Sequence, residues 1–433
     1  MNPTKCYREL RKIDAAKFHD DIKTSVLFTA PSEDPSCIVS QYEQVLSELL
    51  DRHAPLKTRT MSLRPNAPWY TEDLRAAKRL KRCHERKWRK SKLEIDRQIF
   101  VDQCQIYTRK LEKAKCDYHR NKIAECDDRQ LFRFVDKMCR PETASSRVLP
   151  SHDNAKSLAN KFADFFHAKI KNLRQDIDSS VHNSPSVDIH DSCCSSFRSF
   201  SAVTEDTVAK TITGSAAKSC PLDPIPSVIL KQCLEAVLPT ITRLVNTSLL
   251  TGEMPSGLKV ARVIPLLKKS SLDQEELKNY RPISNLKFLF KTIERIASSQ
   301  LHAYLDKNKL HSPMQSAYRK FHSTETALLR VQNDLLRAVD KHQEAVLILI
   351  DYSAAFDTID HKILIRRLCQ RYGITDTALK WFSSYVQGRT QCIDINGTLS
   401  DEYPLDEGVP QGSWVGCLRS DALLPQKFDN FAK

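Results

Sequence analysis

Apolar residues recur at helical intervals through the first half of the chain, on segments that are otherwise polar. Ile38, Tyr42, Val45, Leu46 and Leu49 all fall on one face of a helix with 3.6 residues per turn. This spacing predicts a helix, and no complete domain is evident around it. We therefore interpret the first 65 residues as the tail of a larger upstream region.

A long helical region is predicted from Thr71 to Ile123, because this stretch contains neither Gly nor Pro. Its second half carries an apolar stripe formed by Tyr107, Leu111, Ala114 and Tyr118. Shorter helices are predicted at 131–138 and 158–166. The Ser-rich segment 174–201 has no long apolar periodicity, which favours a linker or a mobile loop.

Helix and strand patterns alternate after residue 200, which predicts an α/β (α+β) fold. We predict amphipathic helices at 226–238, 241–250, 286–305, 325–339, 363–372 and 376–386. We predict strands at 260–267, 346–350 and 391–395. The first helix is expected to stop at Pro239, and the last strand to turn at Asn396-Gly397 in a type I′ hairpin. Segment 279–285 is interpreted as a loop, and segment 315–324 as a basic loop or the edge of a strand.

The predicted strand 346–350 ends in a carboxylate, Asp351, where packing offers no reason for a charge. A carboxylate at a strand end, with Asp357 close behind, suits Mg²⁺, because hard cations prefer oxygen ligands. The alternative is that these acids cap the helix that follows. We favour metal binding for Asp351, and helix capping for Asp357 and Asp360.

The charge balance points to a polyanionic partner. The 433 residues include 67 Lys and Arg against 53 Asp and Glu, a net charge of +14, which favours nucleic acid over membrane. Ten of the cations lie between Arg75 and Lys92, with one Glu among them. This run is either a solvated helix face or a surface that follows a phosphate backbone. The candidate backbone contacts are Arg75, Lys78, Arg79, Lys81, Arg82, Arg86, Lys87, Arg89 and Lys90.

Two aromatic residues in the basic run, Trp88 and His84, could stack on bases, although a lone Trp more often anchors packing. The cysteines are scattered without a CxxC pair, which favours reduced thiols in a nuclear or cytoplasmic protein. The N-terminus has no apolar signal region, and no apolar run approaches about 20 residues, so we expect no membrane partner.

Four short stretches, in order, resemble the motifs of reverse transcriptases, most closely those of jockey-like non-LTR (LINE-type) retrotransposons. They are NYRPIS at 279–284, QSAYR at 315–319 with Ser323-Thr324, LIDYSAAFD at 349–357, and GVPQGS at 408–413. The resemblance extends over about residues 200–413. More loosely, HAPLK at 53–57 and WYT at 69–71 resemble the connector between endonuclease and polymerase in such elements.

The resemblance implies a right-hand polymerase with fingers and part of a palm, preceded by a basic helical connector. It implies RNA-directed DNA synthesis from dNTPs at a primer 3′-hydroxyl, with an RNA template and a DNA primer or target as partners. Asp351 would bind the catalytic Mg²⁺ ions, and Phe356 would lie under the sugar of the incoming nucleotide. Arg281 and Arg319 would hold template backbone or triphosphate, while Gln411 and Gly412 would line the nucleotide and template pocket. Core packing for Phe356, structural roles for the arginines and a turn for Gly412 stay open as alternatives.

The chain departs from the family pattern after Ser413. Reverse transcriptases carry an Asp-Asp hairpin downstream of this motif, and no Asp-Asp pair occurs in residues 414–433. We therefore interpret the chain as a fragment of an element, and expect it not to extend a primer. The alternative functions are a non-catalytic nucleic-acid-binding remnant and, less favoured, a helical scaffold for protein partners. The domains expected from the sequence are 1–65 (endonuclease tail), 66–140 (basic connector), 141–200 (helix and linker), 201–413 (fingers and partial palm) and 414–433 (divergent tail).

Overall fold

A computed structural model of the chain describes residues 4–60, 67–127, 130–132, 134–135, 149–180, 195–216, 220–311, 315–317, 319, 321–349, 354 and 356–409. The chain forms two compact units. We call residues 1–7 with 58–148 the hairpin unit, and residues 8–57 with 149–433 the core unit. These units divide the chain differently from the expected boundaries, because residues 8–57 join the part that was assigned to the polymerase.

The hairpin unit contains two long helices, α4 (Glu72–Ser91) and α5 (Glu94–Glu125). The predicted helical region is thus confirmed, with one break at Lys92, whose φ of 58° reverses the chain. Trp88 stacks on Phe100 across the hairpin, with ring centroids 5.7 Å apart and planes 12° from parallel. Trp88 therefore anchors the packing of the two helices. A two-stranded sheet also forms between β1 (Thr4–Tyr7) and β2 (Lys57–Thr60).

Helices dominate the core unit. They are α1 (Ala15–Lys23), α2 (Val26–Thr29), α3 (Pro35–His53), α6 (Ala155–Ser180), α7 (Glu205–Thr213), α8 (Ser227–Gln232), α9 (Leu234–Thr251), α10 (Phe288–Lys307), α11 (Thr324–Asp340), α12 (His361–Tyr372) and α13 (Asp376–Val386). The predicted apolar face of α3 is buried, and α3 packs on α9. Buried side chains of α1, α3, α9, α10 and α13 belong to one continuous core. This shared core explains why residues 8–57 belong to the core unit.

A mixed sheet lies beside this core. Its strands are β3 (Val260–Leu267), β4 (Tyr280–Asn285), β5 (Arg389–Ile395), β6 (Thr398–Leu399) and β7 (Tyr403–Leu405). The order is β4-β3-β5-β6, and β7 also pairs with β5. β3 runs antiparallel to β4 and parallel to β5. Helix α6 covers one face through Phe162 and Phe166, which pack with Val263, Tyr280 and Ile393.

Segment 279–285 is mostly a strand, so its interpretation as a loop is wrong. Residues 280–285 pair with β3 along its length, with Pro282 opposite Pro265. Proline is tolerated here because β4 is an edge strand, and because the pairing of β3 with β5 ends at Val263. The partner strand β3 lies outside segment 279–285, so the polar residues and the proline within this segment predicted a loop.

Two further predictions about helix boundaries are wrong. Pro239 lies inside α9, and the break between α8 and α9 falls at Cys233 instead. The helix continues because Val237 and Ile241, on either side of the proline, are buried in the core, and that packing outweighs one lost backbone hydrogen bond. Helix α6 continues to Ser180, into the segment interpreted as a linker. Residues 181–194 of that segment lie outside the described residues.

Local signals elsewhere are confirmed. Strand β3 has the predicted bounds, and α12 ends at Gly373 with φ 63°. Asn396 and Gly397 have φ of 53° and 94°, as a type I′ turn requires. No described helix is long and apolar enough to cross a membrane.

The prediction of a buried strand at 346–350 is wrong for the residues that the structure describes. Val346, Ile348 and Leu349 are 85%, 76% and 85% exposed, and residues 346–349 form no strand. An apolar run becomes a buried strand only when a neighbouring strand supplies its hydrogen bonds and covers its side chains. No described strand pairs with this run. Helix α11, which precedes it, also has no buried residue.

Candidate functional site

Two segments that resemble separate polymerase motifs meet in the core unit. The backbone N–H of Val409 donates to the carbonyl oxygen of Phe356 at 2.8 Å, and the N–H of Gly408 donates to that of Ile359 at 2.8 Å. These bonds hold the start of the GVPQGS stretch against the end of the LIDYSAAFD stretch. The structure thus brings together residues that lie about fifty positions apart in the sequence.

Gly408 makes this contact possible because it has no side chain. Its φ is +81°, and a Cβ atom built on it would lie 2.8 Å from the Cα of Asp357 and 2.9 Å from the carbonyl oxygen of Phe356. Both the backbone conformation and the space exclude a larger residue. The glycine of the motif therefore serves close backbone approach in this protein.

His361, in the first turn of α12, also contacts Gly408. Its Nε2 atom lies 2.7 Å from the carbonyl oxygen of Gly408, to which the imidazole N–H donates. Burial lowers the pKa of His361, and the hydrogen bond to Gly408 opposes that change only in part. The neutral imidazole is therefore the form that the folded chain holds.

Arg174 on α6 ties this region to the helix that covers the sheet. Its Nη2 lies 3.1 Å from a carboxylate oxygen of Asp360, and its Nε lies 3.3 Å from one of Glu407. Asp360 also accepts a hydrogen bond from the N–H of Ile363 at 2.9 Å. Helix capping by Asp360 is thus confirmed, whereas Asp357 is not the capping residue of α12.

A cleft of about 490 Å³ opens beside these residues. Its lining includes the cations Lys169 and Lys171 of α6, Pro282 and Ser284 of β4, and the acidic residues Asp357, Asp406 and Glu407. Gly408 also lines it. The cleft lining therefore contains groups of both charges.

A buried arginine, Arg389 at the start of β5, also borders the cleft. It is 2% exposed, and its guanidinium lies over the ring of Phe290, 4.8 Å from the centroid. Its Nη1 donates to the carbonyl oxygen of Tyr385 at 3.3 Å, while its Nε and Nη2 have no hydrogen-bond partner. Burial lowers the pKa of Arg389, because removing the cation from water is costly.

Some predicted site residues lie within the described part of the chain. Phe356 is half-buried and packs against the main core. Arg281 is exposed on β4, next to the cleft residue Pro282. Arg319 is half-buried, and its Nη1 donates to the carbonyl oxygen of Gln315 at 3.3 Å. Arg319 is not among the residues that line the cleft.

Asp351, Gln411 and Gly412 lie outside the described residues. Among the residues that are described, no group of three or more His, Cys, Asp or Glu side chains is arranged to hold a metal ion. Of the cleft carboxylates, Glu407 is engaged by Arg174. The structure therefore supplies no metal position, and metal binding by Asp351 stays a prediction from sequence.

The nine predicted backbone contacts on α4 differ in their surroundings. Successive residues of a helix are rotated by about 100° around its axis. Around the axis of α4, all of these residues except Lys81 and Lys87 fall within an arc of about 120°. This arc faces away from α5. Arg75 and Arg79 share Glu72, at 3.0 and 2.7 Å, and Arg89 pairs with Glu85 at 2.7 Å. Lys87 pairs with the buried Asp96 at 3.1 Å.

Lys78 and Lys81 face aromatic rings rather than acids. The ammonium of Lys78 lies 5.7 Å from the ring centroid of Tyr70, and that of Lys81 lies 5.3 Å from that of Tyr107. Within the described residues, Arg82, Arg86 and Lys90 have neither kind of contact. The exposed ion pairs on α4 stabilise the helix only weakly and can exchange their acid for another anion. The arc therefore forms a cationic stripe about 22 Å long, at about 1.5 Å per residue.

Sequence reasoning missed three residues around the cleft: Arg174, His361 and Arg389. Nothing in the local pattern marks Arg174 or Arg389, because each is surrounded in sequence by other polar residues. His361 directly follows the capping residue Asp360, a position where solvent exposure is the usual expectation. Their roles depend on partners that lie far away in the sequence.

Comparison with known proteins identifies a family that matches part of the chain. Residues 266–431 match the family described as reverse transcriptase (RNA-dependent DNA polymerase). This range begins within β3 and includes the segments on both sides of the Phe356–Val409 contact.

Curated proteins of mobile elements are similar to this chain. The RNA-directed DNA polymerase from mobile element jockey of Drosophila melanogaster is 28% identical over 217 residues, which is 50% of this chain and 23% of that protein. The probable RNA-directed DNA polymerase from transposon BS of the same species is 27% identical over 214 residues, 47% of this chain and 23% of that protein. The retrovirus-related Pol polyprotein from type-1 retrotransposable element R2 of Popillia japonica is 26% identical over 183 residues, 42% of this chain and 25% of that protein. The chain thus spans about a quarter of the length of these relatives.

Proposed function

We propose that this chain carries the fingers and part of the palm of an RNA-directed DNA polymerase, because residues 266–431 match the reverse transcriptase family and the chain is similar to polymerases of jockey-like mobile elements. The substrates in this proposal are an RNA template, a DNA primer or target, and dNTPs. The reaction is attack of the primer 3′-hydroxyl on the α-phosphate of a dNTP, with release of pyrophosphate.

The observation that supports the proposal most directly is the contact between the two motif segments. The N–H of Val409 and the space left by Gly408 hold residues 408–409 against residues 356–357, at the side of the cleft. A polymerase must hold its metal-binding and nucleotide-binding segments side by side. Asp351 and Gln411 flank these residues in the sequence, and we propose that they bind the metal and the nucleotide, respectively.

Roles for individual residues follow from this arrangement as proposals. Asp351 would bind Mg²⁺, and reverse transcriptases generally use divalent metal ions, which stabilise the charge that develops on phosphate oxygens. Phe356 would support the sugar of the incoming nucleotide while its ring packs on the core. Gln411 and Gly412 would line the nucleotide pocket. Arg281 and Arg319 would hold template backbone or triphosphate.

The hairpin unit extends the proposal from the reaction to the binding of the nucleic acid. The exposed stripe on α4 would follow a phosphate backbone, and each contact would release counterions. The glutamates on α4 do not prevent this, because a polyanion can displace them from their arginines. The hairpin unit is thus proposed as a basic connector that holds RNA or DNA.

A second candidate function is nucleic-acid binding without synthesis. It is favoured by one feature of the sequence, the lack of an Asp-Asp pair in residues 414–433. Two-metal catalysis requires more than one carboxylate, and the proposal above assigns only Asp351 to the metal ions. We therefore expect the 433-residue chain to bind RNA but not to extend a primer.

Primer extension on an RNA template separates the two functions. The chain and Asp351→Asn are compared in Mg²⁺, with RNA affinity measured in parallel over a salt series. We expect no synthesis from either protein, and affinity that falls steeply with salt. Synthesis that disappears in Asp351→Asn would assign complete polymerase activity to this chain. Failure to bind RNA at low salt would contradict both functions.

A further inference from the structure

A second cavity lies in the hairpin unit, at the start of α4. Its volume of about 370 Å³ falls within the range of about 300–1,000 Å³ that is usual for sites enclosing a small ligand. Among the described residues, its lining consists of one aromatic ring, one carboxylate and four cations: Tyr70, Glu72, Arg75, Lys78, Arg79 and Arg82. Tyr70 belongs to the WYT stretch at 69–71, to which the proposed function gives no role.

Contacts with α5 and with the neighbouring residue hold the ring of Tyr70 in place. Its hydroxyl oxygen lies 3.4 Å from that of Tyr107 on α5, so one of the two hydroxyls donates to the other. Trp69 packs edge-on against Tyr70, with ring centroids 6.1 Å apart and planes at 67°. Tyr70 is half-buried, so part of its ring stays accessible. A ring that is fixed before binding loses little conformational freedom when a ligand stacks on it.

The cations of this cavity outnumber its acid. Glu72 is the carboxylate of the lining, and it pairs with Arg75 and Arg79 at 3.0 and 2.7 Å. Arg82 has no ion pair among the described residues, and the ammonium of Lys78 lies 5.7 Å from the ring centroid of Tyr70. The flexible stem of Lys78 allows its ammonium to leave the ring and follow an anion. The lining therefore attracts an anionic ligand and offers it a ring at the same place.

A ring beside cations matches the two parts of a nucleotide. Aromatic side chains stack on bases of any sequence, because every base has a π-face, while neighbouring cations hold the phosphates. In a duplex, both faces of each base are already stacked and its pairing edge is occupied, so a base enters a protein cavity only after it has been flipped out. The combination therefore favours a single strand over a duplex. A free phosphate ion would use the cations but not the ring.

We propose that the cavity beside Tyr70 binds an unpaired base of a single-stranded nucleic acid, which stacks on this ring while Lys78 and Arg82 hold the adjoining phosphates. The inference rests on the proposed role of the hairpin unit in holding RNA or DNA, and it adds a base-stacking site and a preference for unpaired strands. The α4 stripe alone predicts no such site, since the phosphates of single strands and duplexes both attract cations. The proposal thereby gives Tyr70 of the WYT stretch a function.

Three probes, compared on the full chain, distinguish base stacking from attraction by charge. They are a fluorescein-labelled oligouridine, an abasic strand of the same length, and a duplex RNA with the same number of phosphates. Affinities are measured by anisotropy at one salt concentration. We expect oligouridine to bind at least about fivefold more tightly than the abasic strand, because the abasic strand has phosphates but no base to stack.

The wild type alone can already overturn the proposal. Equal affinity for oligouridine and the abasic strand would exclude a base-stacking site, and the proposed function would stand, since the α4 stripe would account for binding to both. Absence of binding to all three probes would overturn both. This comparison does not depend on the folding of any variant.

Two substitutions of Tyr70 locate the site. Tyr70→Ala removes the ring, whereas Tyr70→Phe keeps the ring and removes only the hydroxyl that contacts Tyr107. We expect Tyr70→Ala to bind oligouridine no better than the abasic strand. Its affinity for the abasic strand and the duplex should stay within about twofold of the wild type, because these probes rely on phosphate contacts. Tyr70→Phe should retain the preference for oligouridine.

The matched control is Tyr118→Ala, which removes a half-buried tyrosine of α5 that does not line the cavity. We expect this variant to bind all three probes as the wild type does. If Tyr70→Ala weakens the binding of duplex and oligouridine equally, Tyr70 supports the fold of the hairpin rather than a base, and the proposal is overturned. The same holds if Tyr118→Ala abolishes the preference for oligouridine as completely as Tyr70→Ala does.

Discussion

The N–H of Val409 donates to the carbonyl oxygen of Phe356 at 2.8 Å. This bond joins two stretches that are separated in the sequence by helices α12 and α13 and by the β5–β6 hairpin. A second bond runs beside it, from the N–H of Gly408 to the carbonyl oxygen of Ile359. Together they hold residues 408–409 against residues 356–359. The geometry of the proposed active site therefore depends on backbone groups as much as on side chains.

Substitution of Gly408 by Ala should disrupt this contact. The new methyl group would meet the backbone of Asp357 at 2.8 Å, and the backbone would have to hold a φ of +81° with a side chain present. The strain alone costs roughly 1–3 kcal/mol of unfolding free energy, and the clash adds to it. Urea denaturation measures the loss.

Gly397→Ala is the matched control for that substitution. Gly397 has a φ of +94°, but a methyl group there would have no neighbour within 4 Å. It therefore carries the backbone strain without the clash. Equal losses in the two variants would show that the close approach at Gly408 contributes nothing to stability.

The stability of the core unit should depend on pH through His361. Burial lowers the pKa of this residue from its ordinary value of 6.5, so the unfolded chain binds the proton more tightly than the folded chain. Its stabilising contribution is complete above about pH 6.5 and is lost as the pH falls below that value. Denaturation curves at a series of pH values should show this decline.

His361→Gln retains a donor for the carbonyl oxygen of Gly408 and removes the titration. We expect the variant to lose less stability than the wild type between neutral and mildly acidic pH. Identical pH dependence in both proteins would exclude His361 as a source of the effect. The other histidines are common to both proteins and cancel in the comparison.

The double ion pair of Arg174 should stabilise the wall of the cleft. Its side chain is 14% exposed and reaches both Asp360 and Glu407, so its removal leaves two carboxylates that are partly shielded from water. We expect Arg174→Ala to cost about 1–3 kcal/mol of unfolding free energy. Lys210→Ala, which removes an exposed ion pair with Asp206 on α7, should cost less than about 0.5 kcal/mol.

A double-mutant cycle isolates the pair itself. If Arg174 and Glu407 interact as described, the losses of unfolding free energy caused by Arg174→Ala and Glu407→Gln should not add up. The loss in the double variant should differ from their sum by at least about 0.5 kcal/mol. Additive losses would mean that the 3.3 Å contact contributes no free energy to the fold.

The cationic stripe on α4 should make RNA binding sensitive to salt. Arg82, Arg86 and Lys90 have no ion pair or ring contact among the described residues, so their reversal to Glu disturbs no described interaction of the hairpin. We expect weaker RNA binding and a salt slope smaller by about 0.7 for each lost phosphate contact on single strands. Anisotropy titrations over a salt series measure both quantities.

The matched control reverses Arg109, Lys110 and Lys113, which are exposed cations of α5. Charge reversal there changes the net charge equally but leaves the α4 stripe intact. A control that weakens RNA binding as strongly as the stripe variant would indicate attraction by net charge alone. Unchanged binding in the stripe variant would favour the interpretation of α4 as a solvated face.

Local rules explain the elements that were predicted correctly. Helix α3 follows from apolar residues on one face, and β3 follows from a short run of branched apolar residues. The turn at Asn396-Gly397 follows from the ability of these two residues to adopt a positive φ. Each of these signals is contained within a few neighbouring residues, so no tertiary information was needed.

The wrong predictions concern segments whose secondary structure depends on residues that lie far away in the sequence. Residues 280–285 form a strand because β3 supplies the ladder, and α9 passes through Pro239 because the core holds its neighbouring residues. Conversely, Val346 and Ile348 have the composition of a buried strand but are exposed, since no described strand pairs with them. Strand formation depends on pairing, and pairing is not a property of the segment itself.

The sequence by itself determined the family resemblance, the basic helical segment and most helix positions, because motifs, charge and periodicity are properties of neighbouring residues. Tertiary structure decided that Gly408 approaches Asp357, that Arg174 joins two acids, and that Arg389 is buried over Phe290. The physical reason is the same throughout, since burial and electrostatics depend on distances in space that the order of residues does not specify.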